Sequence, residues 1–172
     1  SVESDIYTTR PWAAEALAPV FDRRDEYRYR GTPVRAAMGE TVRVRGAAEL
    51  SNLYLDVQTL GPNVASLFGV RQQDGLQGVE LRSVAMTHDA AIHGWSGDPV
   101  RFLRRMNVRF YADATAEADA MGGLREVARH PELPIRLFEV SEPLPRAFVA
   151  TGWETAAGPG PALRRALQAD LP

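Results

Sequence analysis

Few stretches of this chain combine residue types and spacing that suit chemistry, and the clearest is His88-Asp89-x-x-x-His93. On a helix, residues four apart share a face, so Asp89 and His93 would offer a carboxylate and an imidazole to a divalent metal. His88 points roughly 100° away, so spacing alone brings no third ligand. A solvated or capping role near a helix end is the expectation for these residues, and no metal or other cofactor is expected. Gly94-Trp95-Ser96-Gly97 invites comparison with the nucleophile elbow G-x-S-x-G, but it is one residue short and no strand leads into it. Trp95 reads as a loop anchor ahead of a sugar-stacking surface, because large aromatics usually bury. Asp74 and Glu80 would make a glycosidic pair only at a separation that sequence cannot supply, and Asp74-Gly75 is above all a turn signature.

The arginines form a second group. Arg101, Arg104, Arg105 and Arg109 cluster, and alternation with Val108 and Phe110 places Arg109 on a solvated or salt-bridged face. Arg146 follows Pro145 and precedes an apolar stretch. Its guanidinium would bridge backbone carbonyls and a carboxylate such as Asp74, or face an anionic ligand. The bridge is the expectation, since a buried Arg must be paired. No phosphate-cradling loop, dinucleotide fingerprint, H-E-x-x-H or deaminase signature occurs.

The elements that position these residues can be read from periodicity. Pro11 opens a helix capped by Thr8 or Thr9, with Trp12, Leu17, Val20 and Phe21 as its apolar stripe and Pro19 shortening it. Tyr27–Arg30 and Thr41–Arg45 alternate as half-buried strands, and Leu53–Val57 is a more apolar strand. The stretch from Gly61 to Arg82 organises the rest. Asn63 caps a short helix carrying Val64, Leu67 and Phe68, Gly69 ends it in the left-handed region, Asp74-Gly75 turns, and a helix runs from Val79 to about Ile92. Asp98-Pro99 caps a helix over Val100–Met106 with Phe102, Leu103 and Met106 inward. Val108–Ala112 reads as a central strand and Ala114–Ala120 as a loop or frayed turn. Leu124–Ala128 and Ile135–Val140 form a hairpin, and Ala147–Thr151 is a last short strand. The spacing predicts a mixed α/β (α+β) domain with a central sheet of about five or six strands and helices packed on it. That domain spans 1–155, and 156–172 holds a Gly/Pro/Ala linker and a loosely held terminal helix.

Composition bounds the function classes. The 172 residues suit one domain, and 45% hydrophobic with 24% charged residues is ordinary for a folded protein. A net charge of -2 and a pI near 5.9 supply no field for nucleic acid, so no nucleic-acid partner is expected. All 20 basic residues are Arg, which reads as coding bias toward GC-rich codons rather than phosphate recognition. With no Cys there are no disulfides, thiolate metal sites or Cys nucleophiles. No apolar run approaches the ~20 residues of a membrane span. Without an initiator Met, the chain reads as a fragment of a longer protein.

Three short motifs carry a resemblance. Asn63-x-Ala65-x-x-Phe68-Gly69-Val70, followed by Asp74-Gly75-Leu76 and Arg82, resembles the extracytoplasmic part of YfhO-type bacterial polytopic membrane proteins. Arg104–Tyr111 (R-R-M-N-V-R-F-Y) and Pro143–Ala150 (P-L-P-R-A-F-V-A) are similar to two later motifs of that family, in the same order. The resemblance implies a membrane-embedded, glycosyltransferase-like parent working with polyprenyl-phosphate sugars at the cell envelope. The catalytic acid and lipid-phosphate site would belong to the membrane portion. The present domain would then be non-catalytic and would assist acceptor recognition or assembly. Its partners would be the membrane-embedded remainder of its own chain and a glycan or polyprenyl-phosphate-sugar substrate. Asn63, Asp74, Gly75, Arg82, Asn107 and Arg146 are the motif positions expected to shape the elbow, its junction with the sheet, or a binding surface. An alternative is a free-standing soluble enzyme or small-ligand-binding protein using the His88–Asp98 region, and a weaker one is a protein-interaction module.

Overall fold

A computed structural model describes residues 10–21, 26–31, 57–61, 64–71, 98–113, 116–147, 149 and 152–168. Helix α1 is Trp12–Leu17, strand β1 Arg28–Gly31, helix α2 Val64–Leu67, helix α3 Pro99–Arg105 and strand β2 Val108–Asp113. A 3-10 turn, Ala116–Ala120, leads to β3 (Leu124–Arg129) and β4 (Arg136–Val140), and helix α4 (Pro159–Gln168) ends the described chain. These strands form one four-stranded sheet in the order β1-β2-β4-β3. β1 and β2 are parallel, and the other two pairings are antiparallel. The mixed α+β class is therefore as the spacing predicts, and the described residues supply four of the strands. Thr41–Arg45 and Leu53–Asp56, two expected strands, lie outside the described residues.

The sheet is packed on both faces. On one, Ala13, Ala14 and Leu17 of α1 and the following Phe21 meet Tyr29, Phe110, Ala112 and Leu137, with Leu60, Ala65 and Val70 closing the cluster. The two alanines let the helix approach the sheet closely, and Phe21 meets Phe110 edge-on at 5.0 Å between ring centroids. On the other face Val100 and Leu103 of α3 and Ala118 of the 3-10 turn cover Val108, Tyr111, Phe138 and Val140. Each large side chain so buried contributes about 1.5–3 kcal/mol.

Local signals explain most boundaries. The Asp98 carboxylate accepts from the Val100 and Arg101 N–H groups at 2.9 and 3.1 Å, capping α3 ahead of Pro99 as expected. Gly69 adopts φ 68°, and Val70 N–H donates to the Ala65 carbonyl at 3.0 Å while Gly69 N–H donates to that of Ser66 at 3.2 Å. That paired return closes α2 as a Schellman motif. The β3–β4 hairpin is also as expected.

Four expectations are corrected. Helix α1 begins after Pro11 with no side-chain cap of its own, and the side-chain amide oxygen Oε1 of buried Gln58 accepts from Trp12 N–H at 2.9 Å instead. Val57 and Gln58 are helical rather than the end of a strand. Ala147 and Val149, from the expected last strand, are irregular and exposed, and no strand among the described residues pairs with them. Helix α4 begins at Pro159, within the residues that read as a Gly/Pro/Ala linker: proline in a first turn loses no intrahelical bond. The helix is also held. Leu163 packs with Phe102, Arg101 Nη1 donates to the Gln168 carbonyl at 2.6 Å, and Arg165 pairs with Glu154 at 2.7 Å.

Strand β1 is tied to the segment before α2 through Tyr29. Its fully buried hydroxyl donates to the Thr59 carbonyl, and burial, with Tyr111 adding to it, pushes the phenol well above its ordinary range. The same Thr59 carbonyl lies where a Cβ on Gly31 would stand. Gly31→Ala should therefore force the backbone apart and cost about 1–3 kcal/mol. Thermal unfolding checks this: a clear fall in Tm is expected, and an unchanged Tm would show that the close approach is not required.

Candidate functional site

Asn107 sits between α3 and β2 in the left-handed region, at φ 62°, and is 6% exposed. Asn tolerates that conformation better than most side chains. The turn is used three ways. Asn107 N–H donates to the Arg104 carbonyl at 3.1 Å, its own carbonyl accepts from Arg28 N–H of β1 at 2.9 Å, and its side-chain amide donates to the Leu144 carbonyl at 2.6 Å. Leu144 N–H returns to the Arg104 carbonyl at 3.0 Å. The Arg104 guanidinium then donates to the Ser141 carbonyl at 2.8 Å and hydroxyl at 2.6 Å. Two motifs far apart in sequence, Arg104–Tyr111 and the start of Pro143–Ala150, are thus one hydrogen-bonded unit.

Beside this unit the sheet carries a polar ladder. The β1–β2 register passes from Arg28 opposite Val108 to Tyr29 opposite Phe110, so Arg109 is an extra, bulged residue. The bulge changes which face the strand presents: Val108 joins the α3 side, whereas Phe110 joins the α1 side. Arg109 Nε and Nη2 donate to Glu139 Oε1 at 3.3 and 3.4 Å, and Arg125 of β3 pairs with the other oxygen, Oε2. The guanidinium of Arg109 also lies 5.3 Å from the Tyr27 ring centroid and 5.6 Å from that of Phe110. Arg109 and Glu139 are about a quarter exposed, and Arg125 is 73% exposed.

The ladder borders two open depressions. One, of about 430 Å³, is lined by Tyr27, Arg109, Arg125, Glu139, Val140, Ser141, Glu142 and Pro143. The other, of about 390 Å³, extends from the same ladder past Val20, Phe110 and Val127. Both sizes fall within the usual range of small-ligand sites. Chemically the arrangement can hold a ligand by directed hydrogen bonds. Among the described residues nothing in it pairs a nucleophile with a base.

Other polar groups serve the framework. Buried Arg136 pairs with Asp119, lies 3.8 Å from Glu126, and stands 5.0 Å from the Phe138 ring centroid. Arg129, at 2.9 Å, is the main cause of the lowered Glu126 pKa. His130 accepts from the N–H groups of Glu132 and Leu133 at Nδ1, both at 3.0 Å, and its ring lies 5.5 Å from that of Trp12. Desolvation, opposed by Glu132, holds its pKa below the ordinary value, as does a nitrogen that must stay unprotonated to accept.

Of the motif positions, Asn107 is placed at the heart of the junction. Arg146 is exposed, with no ion pair or side-chain hydrogen bond among the described residues, which corrects the expected buried bridge. Of the strand expected to follow it, the described residues Ala147 and Val149 are irregular. Asn63, Asp74, Gly75, Arg82, His88, Asp89, His93 and Trp95 lie outside the described residues. No group of three or more His, Cys, Asp or Glu suited to a metal occurs among the described residues. Arg109 is salt-bridged, one of the two states its alternation suggests, but Glu139 and Arg125 as its companions depend on a bulge and on two strand registers that sequence does not show. Comparison with protein-family models, curated proteins and solved structures finds no match.

Two outcomes test this geometry. Asn107→Ala loses both the left-handed tolerance and the Leu144 bond and should cost about 2–3 kcal/mol, whereas Asn107→Gly keeps the backbone and should cost about 1. Chemical denaturation reads both, with Arg146→Ala as a near-neutral control, and equal losses for Ala and Gly would refute the left-handed requirement. For His130 the depressed pKa means that its contribution is present above the unfolded value near 6.5 and is lost as pH falls through the lower folded value. His130→Asn, whose side-chain oxygen can still accept, should lose less Tm than the native chain between about pH 8 and pH 5. Parallel curves would exclude His130 as the source.

Proposed function

We propose that this chain is the non-catalytic extracytoplasmic domain of a YfhO-type, glycosyltransferase-like membrane protein, where it helps to recognise the acceptor or assemble the enzyme at the cell envelope. The observation that carries the reading is the joining of two resemblance motifs: the Asn107 side-chain amide donates to the Leu144 carbonyl, and the Leu144 N–H donates to the Arg104 carbonyl. The third motif contributes α2, whose Ala65 and following Val70 enter the core of the same sheet. The described motif residues therefore meet at one sheet, and among the described residues the adjoining depression offers hydrogen bonding without a catalytic constellation. Among the described residues no helix is long and apolar enough to cross a membrane, so anchoring falls to the remainder of the parent chain. Trp153 and Val149, both more than four-fifths exposed, supply apolar surface for the assembly role.

The test uses the whole parent protein in cells. A tag within this domain should be reached by protease added outside spheroplasts, and deleting the domain should leave the membrane portion inserted while sugar transfer to the acceptor falls. Cleavage of the tag only after lysis would overturn the placement. Turnover of an activated sugar by the purified domain, abolished by His93→Ala, would overturn the non-catalytic role and return attention to the His88–Asp98 region.

A further inference from the structure

We propose that the depression bounded by Tyr27, Arg109, Glu139, Arg125 and Pro143 binds a neutral glycan. The proposal deepens the acceptor-recognition reading and rests on it for the biological source of the glycan, although the chemistry is local.

The charges decide against an ion. The depression holds two guanidiniums, of Arg109 and Arg125, and two carboxylates, of Glu139 and Glu142. Their formal sum is zero, and Glu126, which lines the smaller depression, is itself paired with Arg129 at 2.9 Å, so the described lining has no unpaired excess of either sign to gather ions. What remains is a dense alternation of planar donors and planar acceptors. A sugar hydroxyl is both donor and acceptor, so neighbouring hydroxyls on one ring can accept from a guanidinium while donating to the carboxylate beside it. Each such bond is charge-assisted and directional. A neutral hydroxyl also loses less hydration on entry than a phosphate or carboxylate does.

Apolar surface complements the polar ladder. Tyr27 and the half-buried Pro143 line one side of the larger depression, and Val20, Phe110 and Val127 line the smaller one. The C–H faces of a pyranose ring suit such walls. Because the ladder is shared by both open depressions, the shape fits successive units of an oligosaccharide lying across it better than one enclosed monosaccharide. The ladder is also preorganised. Glu139 is clamped by two arginines from neighbouring strands, and Arg109 is fixed between that carboxylate and the Tyr27 ring, so little side-chain freedom remains to be lost on binding. Arg125, the most exposed member, is the group that reaches furthest into solvent.

The experiment is an amide-resonance titration of this chain with maltohexaose, cellohexaose and chitohexaose, with inorganic phosphate as the ionic comparison. At least one oligosaccharide should shift the Arg125, Glu139, Ser141 and Glu142 amides, with a Kd on the order of 1 mM, as expected for an open site. Arg125→Ala should weaken that binding about tenfold, equivalent to about 1.4 kcal/mol, without changing Tm. Three silent oligosaccharides would overturn the proposal. So would phosphate alone shifting these amides, or undiminished binding by Arg125→Ala. None of these results bears on which side of a membrane the domain occupies, so the spheroplast experiment is read separately.

Discussion

A single left-handed residue, Asn107, sets the relation between the helix on one face of the sheet and the strands that run through it. Without that conformation α3 could not stop at Arg105 and deliver β2 within three residues. The same turn supplies a carbonyl to β1 and an amide to Leu144, so it fixes the parallel neighbour of β2 and the path of the chain after β4. Parallel pairing is made between segments far apart in sequence and pays its loop entropy before any contact forms. A buried polar hub at its starting register limits the alternatives, because a slip would strand the Asn107 amide and carbonyl without partners.

Sequence reasoning reached the features that are written locally. Asp98-Pro99 announces a helix start, Gly69 a helix end, and the Tyr27–Arg30 alternation a strand, and each is decided by a few adjacent residues. The hairpin of β3 and β4 is legible for the same reason. Features decided by distant partners were not. Nothing near Trp12 indicates that Gln58 supplies its cap, and nothing near Arg109 indicates that it is the residue left over when β1 and β2 pair. Phe148-Val149-Ala150 carries strand-forming residue types, yet Ala147 and Val149 are irregular and no strand among the described residues pairs with them.

The site divides along the same line. Asn107 stood out because a motif marks it, and its role is local enough to act through its own backbone. The ladder beside it combines one residue from each of three strands. Its members stand 14 and 30 residues apart from Glu139, so their meeting depends on topology alone. Strict alternation puts Arg109 opposite Phe110, and the bulge is what lets both serve the same side of the sheet. Arg146 erred in the other direction: a guanidinium beside an apolar run suggested burial, and the chain leaves it in water.

Strand β3, the outer strand among the described residues, has a consequence for how this chain behaves among copies of itself. Its register with β4 skips Val127, a second bulge, and Arg125, Glu126 and Arg129 along it are exposed. A flat, apolar edge invites another strand to add to the sheet; a kinked edge studded with ionised side chains denies it a continuous row of amides and carbonyls. The strand thus acts as a terminator, and growth of the sheet into an intermolecular ribbon stops there.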